Sequence, residues 1–170
     1  MSSRQQQSWS MADVSKKATT RRVAVAGGRI VIGAKAMNLL QSGQLPKGDP
    51  LAMAEIAGIL AAKQTPSLLP LCHPIALSRV SIRSFIRPDE HAVHMFCIAE
   101  IAERTGVEME ALVGLNIALL TVWDLVKPVN AALQISDVRL LYKSGGKSGT
   151  WLHPEGFDVE VDELIREFGL

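Results

Sequence analysis

Residues 105–127, TGVEMEALVGLNIALLTVWDLVK, constrain this chain more than any other stretch. Gly106 breaks what precedes, and from Val107 onward the apolar residues keep to no single helical stripe. Val107, Met109, Leu112, Leu115, Ile117, Leu119, Leu120, Val122, Trp123 and Val126 cover the whole circumference. A helix apolar all round has to be covered on more than one side. Its charges stand only at the ends. Glu108 and Glu110 suit the positive end of the helix dipole, and Lys127 suits the negative end. Asp124 does not fit that account. In the last turn it opposes the dipole, and on so apolar a helix it must be desolvated or paired. Lys127, three residues on, lies on the same face and can meet it. Spacing alone leaves two readings open: a structural ion pair, or an acid/base pair with shifted pKa values at the mouth of a site.

A length of 170 residues fits one domain with a substantial core. An apolar content of 48% and a mean hydropathy of +0.18 leave a surplus that suits a core helix or an oligomer interface, so a soluble oligomer is expected. The net charge of +1 supplies no basic field for nucleic acid. The longest apolar run, Ala111 to Trp123, is interrupted by Asn116 and is too short to span a bilayer. Cys72 and Cys97 cannot by themselves form a disulfide framework or a thiolate zinc site, and His73, His91, His94 and His153 show no metal-ligand spacing. The opening MSSRQQQSWS lacks an apolar signal segment; residues 1–10 are expected to be a disordered tail, and the compartment the cytoplasm.

Along the chain, residues 22–32 read as a strand in which Gly27-Gly28 permits a bulge. Residues 34–41 form a short helix ended by Ser42-Gly43. Asp49 is a good N-cap and Pro50 a good first helical residue for a second helix reaching about Gln64. Pro66, Pro70 and Pro74 are expected to hold the following SLLPLCHP extended. Two strands follow, near 75–87 and 91–103, joined by Pro88-Asp89-Glu90. In the second, Val93, Met95, Cys97 and Ala99 share one face. The central helix is expected to end around Leu133, and a last strand covers 135–143. Residues 152–170 read as a polar-acidic tail with one weak helix near 162–168. The order predicts an α+β domain over residues 11–151, a two-layer ferredoxin-like sandwich with an antiparallel sheet covered by helices on one face.

Several stretches could carry chemistry. Gly146-Lys147-Ser148 resembles the end of a P-loop, but Leu141 stands where that motif needs glycine and no convincing helix follows. A nucleotide-hydrolysing reading, which would require magnesium-dependent GTP hydrolysis, is thereby disfavoured; an anion loop or a solvated turn remains open. Cys72 and His73, adjacent on an extended segment, should point to opposite sides, Cys72 to the core and His73 outward. Taken singly, His73 is a structural histidine, Lys47 a loop lysine, and Lys63 and Lys143 solvated element ends.

Together the blocks ADVSKKATTRR, KGD, AGILAAKQTPSLLPLCHP, TGVEMEAL, LTVWDLVK and KSGGKSG, in this order, strongly resemble the cyclic pyranopterin monophosphate synthase family of molybdenum cofactor biosynthesis. The resemblance covers residues 11–151. It implies a lyase that converts (8S)-3′,8-cyclo-7,8-dihydroguanosine 5′-triphosphate into cyclic pyranopterin monophosphate and pyrophosphate, with no redox cofactor and no metal. It also implies a ferredoxin-like fold and homohexamers, trimers of dimers, with active sites at subunit interfaces. Residue by residue, it implies catalytic roles for Asp124, Lys127, Lys47 and His73. Substrate contacts would come from Leu71, Cys72, His73, Glu108, Met109, Glu110, Lys147 and Arg22, while Asp13 and Lys17 match the N-terminal motif. The chemistry suits these types. A lysine with lowered pKa can give a proton, a carboxylate or histidine can take one, and cations can cover a leaving pyrophosphate. One departure stands out. Where the family commonly has Asp-Met-Cys-Lys-Ala, this chain has Asp124-Leu125-Val126-Lys127-Pro128. Pro128 removes an N–H and disfavours helical geometry at Lys127, which could re-aim the lysine. A catalytically inactive paralogue that keeps the fold as a binding or scaffold subunit is therefore the alternative to the lyase.

Overall fold

The computed structural model describes residues 9–147, 149–155 and 159–169. Its elements run β1 (Thr20–Val31), α1 (Ala34–Gln41), α2 (Pro50–Lys63), α3 (Thr65–Leu68), β2 (Arg79–Arg87), β3 (Ala92–Glu103), α4 (Glu108–Val126), β4 (Gln134–Ser144), β5 (Trp151–Leu152) and α5 (Val159–Phe168). The strands form one antiparallel sheet in the order β2-β3-β1-β4-β5. The first four strands and the helices between them make the expected ferredoxin-like α+β unit, and β5 extends its edge.

The central helix packs against two neighbours. Ala111, Leu115, Ala118, Leu119, Val122 and Val126 are buried with Ala24, Ala26 and Ile30 of β1 and with Val93, Met95, Cys97 and Ala99, the β3 face expected from alternation. At 19 residues α4 is long and apolar enough to cross a membrane by length and composition, more than its shorter apolar run suggested, but here it is a core helix. On its flank lies α2, where glycines allow backbone contact. A Cβ at Gly58 would stand 2.9 Å from the Gly114 carbonyl oxygen, and one at Gly114 would stand 3.0 Å from that of Gly58. Asp49 caps α2 as expected, its carboxylate accepting from the N–H groups of Leu51 and Ala52.

Several expectations are corrected. The bulge sits on β4 rather than on the glycine pair of β1. Leu141 is the extra residue between the pairs Val25–Tyr142 and Ala26–Leu140, and Asp137 and Val138 together face Gly28. Gly27 and Gly28 are needed because the bulged strand crowds them: a Cβ at Gly27 would come within 2.5 Å of Leu141 Cδ1. The segment after α2 is not extended throughout, since Thr65–Leu68 makes one helical turn with Pro66 in its first positions, where proline costs nothing. The central helix stops at Val126, seven residues before Leu133, because Pro128 cannot donate to the carbonyl of Asp124. Nor does the second face of the sheet stay bare. Val23, Val25, Phe96, Ile98, Leu141 and Tyr142 form a smaller core with Leu164 and Phe168 of α5. The Arg79 guanidinium lies 4.2 Å from the centre of the Phe168 ring, and Arg83 pairs with Glu167 at 2.8 Å. Of the expected N-terminal tail, residues 1–8 lie outside the described residues.

Candidate active site

The sequence-predicted residues separate into two groups, one at each end of α4. At the C-terminal end, Asp124 stands between two lysines. Lys127 Nζ is 2.7 Å from Oδ1, and Lys47 Nζ is 3.0 Å from Oδ2. Lys47, from the loop ahead of α2, also donates to the backbone oxygen of Asp124 at 3.0 Å. The hydrogen bonds from Lys127 and then Lys47 hold the Asp124 carboxyl below the usual carboxylate range, so at neutral pH it is an anion between two cations. The dipole conflict seen in the sequence is settled by this double pairing. Lys127 keeps right-handed helical geometry at φ −52°, ψ −27° despite the proline after it, and it reaches Asp124. Pro128 therefore ends the helix without turning Lys127 away from Asp124.

At the N-terminal end, a cleft of about 570 Å³ is lined by Lys17, Arg22, Glu108, Lys143 and Lys147 together with Gly106, Gly145 and Gly146. Arg22 is held on the carbonyls of Glu103 and Arg104. Beside it, Gly145 and Gly146 adopt φ +98° and +72°, and a Cβ at Gly146 would stand 2.6 Å from the Arg22 Nη1. Lys143 was expected to be a solvated strand end. It instead faces this cleft and pairs with Glu108 at 3.1 Å, because the register of β4 on β1 brings its side chain to the start of α4. The alternation of β4 alone does not mark that position, because the strand is bulged. Lys147 is followed by the two-residue β5, not by a helix, so the phosphate cradle of a P-loop is not built here. Ser148 lies outside the described residues.

Glu108 and Gly106 also border an adjoining hollow lined by Leu71, Cys72, His73, Met109 and Glu110. Cys72 and His73 line it together. Side chains do not alternate here because the segment is a turn, with the Cys72 N–H bonded to the Leu69 carbonyl at 3.0 Å. His73 Nε2 lies 2.9 Å from the Ala12 carbonyl oxygen, which can only accept, so Nε2 carries the proton in this contact. Burial pushes the Glu110 carboxyl up; its residue is 3% exposed. Burial, and then the charge of Glu110, raises the Cys72 thiol. The hollow therefore solvates anions poorly, whereas the neighbouring cleft is cationic. Asp13, expected in the same N-terminal motif, uses its carboxylate to hold the Ser15 N–H. No cluster of three or more potential metal ligands occurs among the described residues.

Glu108 and Asp124 are sixteen residues apart on one helix, about 24 Å at 1.5 Å per residue. No single nucleotide-sized molecule touches both groups within one subunit. Between them runs an exposed stripe of α4 that includes Met109, Asn116 and Leu120, and Met53, Ile56 and Leu60 of α2 are exposed as well.

A profile described as the MoaC family matches residues 11–146. A cyclic pyranopterin monophosphate synthase of Nocardioides sp. is 47% identical over 145 residues, 85% of this chain and 89% of that protein. One from Streptomyces griseus is 48% identical over 151 residues, covering 88% and 84%. One from Desulfitobacterium hafniense is 43% identical over 145 residues, covering 85% and 88%.

Proposed function

The chain belongs to the MoaC family, and on that premise we propose how its residues carry the family's lyase reaction. It converts (8S)-3′,8-cyclo-7,8-dihydroguanosine 5′-triphosphate into cyclic pyranopterin monophosphate, releasing pyrophosphate, in molybdenum cofactor biosynthesis. The observation that carries the assignment of roles is the division of charge along α4. The cleft at its start presents Lys17, Arg22, Lys143 and Lys147 with one carboxylate, Glu108, already paired. Such a cleft suits the triphosphate, whose departing pyrophosphate needs cations over its oxygens. Leu71, Cys72, Met109, Glu110 and His73 beside it suit the guanine-derived ring, with His73 and Glu110, whose carboxyl burial pushes up, in position to exchange protons with ring nitrogens. Asp124, Lys127 and Lys47 supply the acid/base group: Lys127 gives a proton, and Asp124 holds the lysine in place or takes a proton.

Both groups can reach one substrate if two copies of α4 meet antiparallel across a two-fold axis near Asn116. That contact brings the Asp124 end of one helix to the Glu108 end of the other, makes two composite sites, and covers the exposed apolar stripe. Three such dimers would complete a homohexamer. The cytoplasm is the compartment that suits two unpaired cysteines, Cys72 and Cys97.

Pyrophosphate release from the cyclised dihydro-GTP tests the reaction; its absence from the intact assembly would count against the lyase. Subunit mixing tests the composite site. Arg22→Ala and Lys127→Ala are each inactive alone on this reading. After denaturation and joint refolding, activity returns, because some dimers carry one site with both groups intact. No recovery from verified mixed oligomers would place all the residues of a site within one subunit.

A further inference from the structure

We infer that Pro128, which belongs to neither half of the site, is a positioning residue for Lys47. This rests on the assignment of Lys47 to the reaction proposed above. In a continuing helix the carbonyl of Asp124 would accept from the backbone N–H four residues on. Residue 128 is proline and has none. The neighbouring donors go elsewhere: the Lys127 N–H to the Trp123 oxygen at 2.8 Å, and those of Val129 and Asn130 both to Val126, at 2.9 and 3.3 Å. Asp124 is thus left with a carbonyl oxygen at the helix end that has no backbone partner to claim it from position 128. Lys47 Nζ takes it at 3.0 Å while also holding Oδ2 at 3.0 Å.

Two anchors on one residue fix the ammonium where a single exposed carboxylate contact would leave a long side chain free to turn away. The chain beyond the proline is tied down independently. Asn130 Nδ2 donates to the Ile32 carbonyl at 2.9 Å, and its Oδ1 accepts from the Ala132 N–H. The turn therefore survives loss of the ring, and the effect of residue 128 on Lys47 runs through the missing N–H. The feature that sets this chain apart from the common family pattern is, on this account, part of how it holds its lysine.

Two replacements separate the N–H from the ring. Pro128→Ala restores the donor. The α-hydroxy acid analogue of alanine at position 128, introduced by nonsense suppression, removes the ring but still offers no N–H. In the Pro128→Ala variant, kcat for pyrophosphate release should fall about tenfold, the order expected when one charge-assisted hydrogen bond to a reacting group is weakened. KM should stay within about twofold, since the substrate contacts lie at the other end of α4. The side-chain ammonium resonance of Lys47, assigned by Lys47→Arg, should lose its protection from solvent exchange. The ester variant should restore both readouts. In a Lys47→Ala background, Pro128→Ala should make no further difference to residual activity. An unchanged ammonium signal in Pro128→Ala overturns the inference, as does an ester variant that behaves like Pro128→Ala. A parent that releases no pyrophosphate would refute the lyase reading instead, and the resonance would still decide the role of Pro128.

Discussion

Leu120→Glu places a charge in the middle of the exposed stripe on α4 and tests whether that stripe is a contact between copies. Leu120 is 52% exposed in the isolated subunit. Fully burying a leucine contributes about 1.5–3 kcal/mol, so covering the exposed half contributes about 0.8–1.5 kcal/mol per copy. A two-fold contact contains the residue twice, which makes about 1.5–3 kcal/mol lost on substitution. Each glutamate would also be carried out of water against apolar side chains, at several kcal/mol per ion unless it finds a partner. A total of at least about 4 kcal/mol corresponds to dissociation about a thousandfold easier. Glutamate keeps the helix propensity of leucine, so the subunit itself should fold. Sedimentation velocity at micromolar protein should show the parent as an oligomer and the variant as a monomer, with far-UV circular dichroism showing the variant folded. On the composite-site proposal, activity should vanish with the assembly. A variant that assembles like the parent would refute the placement of the interface. A monomeric, active parent would refute the composite site itself.

Leu115→Ala, within the buried face of the same helix, should cost about 2–5 kcal/mol of subunit stability, read as a fall in the urea midpoint with unchanged slope; under about 1 kcal/mol would contradict its complete burial. Asp124→Asn should lower the melting temperature only where the parent carboxylate is charged. Its folded pKa is depressed by Lys127 and Lys47, so its contribution is fully present above the unfolded value and is lost as pH falls through the folded one. The gap between parent and variant should therefore be open at neutral pH and close below the ordinary carboxylate range; a constant gap down to about pH 2 would show the loss to be steric. Cys97, fully buried and with its thiol pushed up to about 12, should resist iodoacetamide in the native protein at mildly alkaline pH, while Cys72 reacts slowly. Both should react in denaturant. Native labelling of Cys97 would mean the sheet–helix interface opens.

Much of the architecture was legible because it follows from local periodicity. Alternation in β3 marks the face of Val93, Met95, Cys97 and Ala99, and the all-round apolar pattern of α4 requires cover on two sides, which the sheet and α2 supply in part. Asp49-Pro50 announced the start of α2 through capping chemistry that needs no distant partner. The oddity of Asp124 was visible for the same reason: the dipole of a helix is a local property.

What only the tertiary structure decided are the relations between segments far apart in sequence. That Lys47 pairs with Asp124, seventy-seven residues away, depends on how α2 packs on α4 through Gly58 and Gly114. Lys143 enters the cationic cleft through the bulged register of β4, which no pattern within β4 predicts. Cys72 lines the hollow rather than the core because a turn replaces the extended segment that three prolines suggested. Pro128 read in isolation as damage to a helix, yet the carbonyl it frees is taken by a lysine that sequence spacing cannot bring near. Local preferences act over a few residues and can be read in one dimension. Side-chain pairings across elements depend on packing distances and strand register, which only the folded chain fixes.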